Sequence, residues 1–331
     1  MAHKKGKMTD AGRSISFWVK FTPPLAAFLL LVSAFSSSID AQAKTAVSAS
    51  RSVVIKAVPK ASVWIDGVLF GKTDDAGELK IGTVASGSHT VRLRADGYKE
   101  TARTLTAAEK GDIKVTMPKT SDQAELAFQE AERLGLVDRD KSIEAYRRAI
   151  KLRPSYPEAY LALARSLSEN GDLDEARAAL TSARRLRPGY AEASAVEGRV
   201  LKDAGNEEKA IAAFKRAITE GHGFQPEALT GLGLLYKERA EGFGSSGDLE
   251  QEKLNYEESA KYLKQALKQL SGAPDAMVVY QILGLIYERE KRFPEAVALY
   301  EEFLRLFPDS SEATAVRSFI EQIHKQMGRN P

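Results

Sequence analysis

The chain has 331 residues, with 48 Lys+Arg against 45 Asp+Glu, 43% hydrophobic residues and no cysteine. That length exceeds what one core usually serves, and the ordinary charge and aromatic content exclude wholesale disorder, collagen and a polytopic membrane protein. Without cysteine there is no disulfide scaffold, thiolate metal site, cysteine nucleophile or acylated lipoprotein cysteine.

Lys4, Lys5, Lys7, Arg13 and Lys20 precede an apolar run from Leu25 to Phe35. The run has the length of a signal-peptide core and is too short to span a bilayer comfortably. Ala41-Gln42-Ala43 then supplies an A-x-A cleavage pattern. Residues 1–43 therefore read as a secretory signal removed after Ala43, followed by a linker over 44–51. The alternative is an uncleaved inner-membrane anchor that recruits Ile15–Val19; only then would the chain touch a membrane. The expected compartment is periplasmic or extracellular. Beyond residue 43 the chain holds 43 residues of each sign. The basic excess is thus targeting information, and nothing steers the chain to nucleic acid. Residues 44–118 hold 12 basic and 8 acidic residues while 119–331 hold 31 and 35, so the two parts are weakly opposite in sign, which permits a contact between them.

Residues 52–118 alternate with a period of two. Val63 and Ile65 interleave with Trp64 and Asp66; Val91, Leu93 and Ala95 with Arg92, Arg94 and Asp96; Ile113, Val115 and Met117 with Lys114 and Thr116. Successive strand side chains point to opposite faces, so each run buries one face. Asp66-Gly67, Asp74-Asp75-Ala76-Gly77, Ser86-Gly87 and Asp96-Gly97 mark turns. Six or seven short strands predict a small antiparallel β-sandwich. The string Pro59-x-Ala61-x-Val63-x-Ile65-Asp66-Gly67-x-x-x-Gly71-x-Thr73, continued by Gly87-x-His89-x-Val91-x-Leu93 and Gly97-Tyr98, resembles the PEGA domain family. Thr73-Asp74-Asp75-x-Gly77-x-Leu79 is equally similar to carboxypeptidase regulatory-like domains, which share a transthyretin-like sandwich. Either resemblance implies a non-catalytic domain of exported bacterial proteins with contacts to surface or envelope material. His89 reads as structural, and the aspartates as turn formers rather than calcium ligands. Trp64 reads either as an anchor for a partner or as cover for the second sheet.

From residue 123 the chain repeats itself. Ile143–Pro154 aligns with Arg177–Pro188 at an offset of 34, and Ile211–Ile218 follows at the same offset; Ala296–Pro308 is a later copy. The pattern resembles the tetratricopeptide repeat, a pair of antiparallel helices per unit. Small residues stand where helices approach closely: Ala164, Gly198, Gly233 and Gly284 on first helices, Ala176, Ala210 and Ala296 on second helices. Pro154, Pro188 and Pro308 stop second helices, and Gly171 and Gly205 end first helices. Five units result, about 123–156, 157–190, 191–225, 226–276 and 277–310, with a capping helix near 311–327 in an array over 123–330. The first departs from the pattern, with Glu130 where a small residue is expected and a loosely packed first helix as the consequence. The third has His222 in place of the proline. The fourth carries about 15 extra residues around 241–254, whose glycines and serines read as loop slack or a partner-contacting loop. The fold class is therefore multidomain α+β: a transthyretin-like sandwich followed by an all-α superhelix.

Catalytic signatures are missing. No two of the four histidines share a helix at i, i+4 spacing, and HExxH, G-x-S-x-G and the phosphate-binding loop are absent. Asp138-x-Asp140-x-Ser142 starts like a calcium loop, but Ile143 stands where glycine is needed and Ala149 where the closing glutamate belongs. No cofactor, metal or enzymatic activity is expected.

The family resemblance implies that the second, fifth, ninth, twelfth and thirteenth residues of each unit face a groove. In the second unit these are Glu158, Leu161, Arg165, Ser168 and Glu169, and in the third Glu192, Ala195, Arg199, Lys202 and Asp203. The fourth gives Thr230, Leu234, Lys237 and Glu238, and the last Gln281, Leu285, Glu288 and Arg289. Arg165, Arg199, Lys202 and Lys237 form a column that either accepts carboxylates of an extended peptide or pairs with neighbouring acids. The asparagine of the family's carboxylate clamp is replaced by Arg165 and Arg199, which argues against binding of chaperone tails. The function expected is an exported, non-catalytic adaptor with a protein or peptide in the groove and a second envelope contact through the β-domain. The alternative is a structural envelope component whose β-domain binds glycan or surface-layer material.

Overall fold

The computed structural model describes residues 51–328. The expected export signal, its expected cleavage pattern and nearly all of the expected linker lie outside the described residues.

Seven strands come first: β1 (Arg51–Lys56), β2 (Ser62–Ile65), β3 (Val68–Lys72), β4 (Glu78–Val84), β5 (His89–Arg94), β6 (Thr101–Leu105) and β7 (Gly111–Lys114). They form two sheets, β4-β1-β7 and β3-β2-β5-β6. Alternation decides the inside. Val53, Ile55, Ile81 and Ile113 of one sheet meet Val63, Ile65, Val91, Leu93 and Leu105 of the other in one core. Asp66 (φ 49°) and Gly67 (φ 84°) join β2 to β3 as a two-residue turn, the conformation that Asp-Gly favours in a hairpin. One pairing departs from the antiparallel expectation: β1 and β7 run parallel, because the chain crosses from the second sheet back to the first before β7.

Eleven helices follow: α1 (Gln123–Leu134), α2 (Arg139–Leu152), α3 (Pro157–Asn170), α4 (Leu173–Leu186), α5 (Ala191–Asp203), α6 (Glu207–Glu220), α7 (Pro226–Ser246), α8 (Leu249–Leu270), α9 (Ala276–Arg289), α10 (Phe293–Leu306) and α11 (Ala313–Gln326). They pair as α1/α2 through α9/α10, with α11 against α10. Local chemistry sets the boundaries. Asp122 caps α1 by accepting from the Ala124 amide at 2.9 Å, and Asp138 caps α2 through the Lys141 amide at 3.1 Å. Pro157 and Pro226 occupy first turns, where their missing amide costs nothing. Gly171, at φ 90°, closes α3. None of the described helices is long and apolar enough to cross a membrane.

Two expectations need correction. The extra residues of the fourth unit make no loop. They lengthen α7 to 21 residues and α8 to 22, against 14 in most of the others, adding about two turns to each. Gly244 lets the two helices approach, since a Cβ there would stand 2.8 Å from Glu252, and Arg239 ties the projecting hairpin to Glu207 and Glu208. In the first unit the small position is taken by Ala131, which is fully buried and whose carbonyl accepts from the Ser142 hydroxyl at 2.8 Å. Glu130 lies outside, paired with Arg148, so α1 packs as closely as the others. His222 adopts φ 52°. The Gln269 side chain closes that turn in place of proline, donating to Gly223 O at 2.7 Å and accepting from the Gln225 amide at 2.8 Å.

The β-domain and the array meet at two separate places. The segment linking them pairs with the β-domain, Thr120 N donating to Gly97 O at 2.9 Å and Lys99 N to Pro118 O at 2.8 Å. Gln129, buried on α1, accepts from Gly97 N at 2.8 Å and donates to Tyr98 O at 2.7 Å. At the other end of the contact, Val68 at the start of β3 joins a core that contains Leu229, Leu270 and Val279, and Phe70 packs against both cores. Thr83 on β4 reaches the turn after α8: its Cβ lies 3.9 Å from where a Cβ on Gly272 would stand.

Candidate functional site

The candidate site is the wall made by the first helices of each pair. Each turns one face into the array core: Leu163, Ala164 and Leu167 on α3, Leu232, Gly233 and Leu235 on α7, Val279, Leu283 and Ile286 on α9. Close packing there demands the small residues. A Cβ on Gly198 would stand 2.5 Å from the Phe214 ring, and one on Gly233 2.6 Å from Leu263.

The groove positions fall into three groups. Leu161 and Ser168 are buried, with Leu161 9% exposed in the core of the first units. Most of the charged residues are paired, with Glu192 and Asp203 exposed instead. Arg165 donates to both oxygens of Glu227, at 3.0 and 2.5 Å, and Arg199 lies 3.8 Å from the same carboxylate. Lys202 meets Glu238 at 2.8 Å, Lys237 meets Glu241 at 2.6 Å and Arg289 meets Glu252 at 2.6 Å. Glu158 pairs with Arg187, and Glu169 lies 3.6 Å from Arg139. Glu288 accepts from the Tyr300 hydroxyl at 2.5 Å. Thr230 and Leu234, half-buried, fall with the first group. The third group is open: Gln281 is exposed, and Leu285 is 59% exposed.

Two wall residues escaped the sequence reading although the same spacing rule contains them. Glu227 and Val278 are the second residues of the fourth and fifth units, and Val278 is 50% exposed. Glu227 organises the electrostatics of the hollow. Burial works against the Arg165 charge, but the Glu227 carboxylate more than offsets it and the guanidinium pKa is raised. Asp275 is pushed above the usual carboxylate range by burial and by the nearby Glu227 charge. One Arg199 nitrogen, Nη2, is buried without a hydrogen-bond partner. The cation column therefore carries its own counter-ions.

For the wall's contact with the β-domain the sequence carries only the weakly opposite charge of the two parts, with no residue pattern to locate it. Arg94 reads as an outward residue of an alternating strand, yet it is 7% exposed. It is held by Glu100 of its own domain and by Glu132 of α1 at 2.5 Å. Trp64 lies beneath Arg92, 4.2 Å from its guanidinium carbon, with Arg94 5.6 Å away. The Asp66-Gly67 turn points at the wall: a Cβ on Gly67 would stand 3.9 Å from a carboxylate oxygen of Glu192 on α5. His89 is bound at both ring nitrogens, to Asp66 at 2.7 Å and to Ala85 O at 3.0 Å. The apparent calcium loop dissolves into a helix cap at Asp138 and a buried Ser142. Among the described residues no group of three or more His, Asp or Glu could hold a metal ion.

The tetratricopeptide repeat family matches residues 128–191, 161–226 and 246–311, and the PEGA domain family matches residues 50–121. No curated protein matches. Among solved structures the chain is similar to yeast Tom70, at 18% identity over 63% of this chain and 41% of that one, with a TM-score of 0.50. It is also similar to the thermophilic TPR protein TTC0263 of Thermus thermophilus, at 20% identity over 60% and 98%, with a TM-score of 0.44. A third likeness is to the APC/C hetero-tetramer Cut9-Hcn1, at 18% identity over 62% and 37%, with a TM-score of 0.47. These identities speak for fold alone. The chain is built from a PEGA domain followed by tetratricopeptide repeats, the architecture of a protein-interaction scaffold.

Proposed function

We propose that the chain is an exported, non-catalytic adaptor that holds a protein partner against the later part of its wall, on α7 and α9. The observation that carries this is a contrast along one face. Leu285, the ninth residue of the fifth unit, is 59% exposed, whereas Leu161, the fifth residue of the second unit, is 9% exposed. The early cations are neutralised within the chain by Glu227 and Glu238. A partner gains most where apolar surface is still in water, at Val278 and Leu285, with Gln281 between them offering hydrogen bonds. Arg289 stands one turn after Leu285 on α9. Export is supported by the basic residues, apolar run and A-x-A pattern of the first 43 positions. The outer face of the β4-β1-β7 sheet, with Ser52, Lys80, Asp112 and Lys114 exposed, is the surface we assign to a second contact with envelope material.

A photo-crosslinking residue placed at Val278, Leu285 or Leu161 in the full chain, in its own cells, tests the reading. Adducts with a protein are expected at 278 and 285 and not at 161, and Leu285→Glu should remove the adduct at 278. Adducts at 161 alone, or none at any of the three, would overturn it.

A further inference from the structure

The two ends of the contact between the PEGA domain and the array are built differently. Near α1 the join is covalent and polar. Backbone pairing of the linker, two hydrogen bonds to the buried Gln129 and the Arg94–Glu132 pair hold the domain from several directions. At the far end the domain rests on the array through a few apolar groups, Val68 and Phe70, and through the approach of Thr83 to Gly272. Beside that end a cleft of about 390 Å³ stays open between the domains, lined by Ile65, Phe70, Val84, Phe224 and Lys268 among others. A void of that size forfeits the dispersion contacts that would make the far end as tight as a core.

The far end rests on the edge of the wall, where Glu192 and Val278 stay exposed. Gly67 faces Glu192, which occupies the same second position in its unit as Glu227 and Val278, and Val68 belongs to the core cluster that includes Leu229 at the start of α7 and Val279 on α9. We infer that the PEGA domain is a hinged lid on the repeat array: it stays clamped at α1 and swings away from α7, α9 and the turn at Gly272. The closed form covers Leu229 and Val279 beside the exposed Val278, and a partner that reaches from Val278 onto them draws the population towards the open form. This deepens the adaptor reading, since lid and partner share one wall.

The pair Thr83→Cys and Gly272→Cys in the full chain tests it. A Cβ separation of 3.9 Å suits a disulfide, and the chain has no other thiol. Hydrogen exchange compares the oxidised and reduced forms of the same variant, so the strain of replacing a glycine at φ 81° cancels. Oxidation is expected to slow exchange at least tenfold in β3 and in the first turns of α7 and α9, and to leave the segment around Gln129 unchanged. Val68→Ala in the otherwise native chain should speed the same three segments at least tenfold and again spare α1. Equal exchange in both redox forms, or acceleration by Val68→Ala that reaches α1 as strongly as α9, would show a single rigid body and overturn the lid. The readout needs no partner. A fixed lid would leave the adduct at Leu285 standing, and loss of that adduct would leave the exchange pattern intact.

Discussion

Arg94 and Phe128 stack across the domain junction, the guanidinium carbon 4.4 Å from the ring centre, while the same guanidinium holds Glu132 on α1 at 2.5 Å. Burial penalises both charges. The neighbouring carboxylates Glu132 and Glu100 outweigh it for Arg94, whose pKa is raised, but Arg94 does not fully compensate Glu132, whose carboxyl is pushed up. Removing one partner of such a pair leaves the other uncompensated.

Arg94→Met is therefore expected to destabilise the chain even though methionine keeps much of the packing on Phe128. Fully buried pairs lose about 3–5 kcal/mol in this way. Glu132 still shows about a third of its side chain to solvent, so we expect a loss of about 2 kcal/mol. Adding Glu132→Gln should restore part of it, because the double variant no longer strands a charge at that position. Urea unfolding of the two single variants and the double variant measures the coupling, and purely additive losses would refute it.

Two glycines on wall helices should respond oppositely to alanine. A Cβ on Gly198 would meet the Phe214 ring at 2.5 Å, so Gly198→Ala forces the ring or the helix to move and should cost about 1–3 kcal/mol. Gly242 lies in the projecting part of α7 with nothing within 4 Å, and Gly242→Ala should stabilise by about 0.5–1 kcal/mol through helix propensity. Thermal midpoints should move down in the first variant and up in the second; movement in the same direction would sink the argument.

Much of this architecture is legible in the sequence because the repeat is written in steric terms. Ala164, Gly198 and Gly284 stand where a second helix presses, and that requirement recurs at a fixed spacing. The long α7–α8 hairpin escaped because Gly242, Gly244 and Ser245 carry loop propensity, while the contacts that keep them helical, Arg239 to Glu207 and Glu208, come from the neighbouring unit. The lid contact escaped for a related reason. Arg92 and Arg94 alternate like solvent-facing strand residues, and only the position of α1 turns Arg94 inward. In the candidate site, spacing located Arg165 and Arg199, but their shared counter-ion Glu227 is 62 residues from Arg165 in the chain and met it only through the curvature of the array.

Glu227→Gln should change the titration of Asp275. Burial and the Glu227 charge both raise the Asp275 pKa, so removing the charge should bring it down towards the usual range near 3.8. The sign for stability follows. An acid with a raised folded pKa binds its proton more readily in the folded chain, so its contribution is complete below about 3.8 and is lost as pH rises through the folded value. In the variant that loss should be smaller. Carbon chemical shifts of Asp275 followed by NMR check the first point, and an unchanged titration would show that Glu227 does not act on it.

Asp122 gives the opposite sign. Burial alone would raise its pKa, but the amides of Glu125 and Ala124 and the charge of Arg153 hold the carboxyl below 3.8. The folded chain therefore binds that proton less readily than the unfolded one. The stabilisation is complete above about 3.8 and is lost as pH falls through the lowered folded value. Nearly half of the side chain is exposed, so the Arg153 pair adds little and the effect is mostly that of a helix cap. Asp122→Ala should cost about 1 kcal/mol at about pH 7. In urea unfolding the gap between the native chain and the variant should narrow as pH approaches about 2, because the protonated side chain is a weaker acceptor for the first turn of α1. A gap of equal size at both pH values would mean that the carboxylate charge plays no part in starting the array.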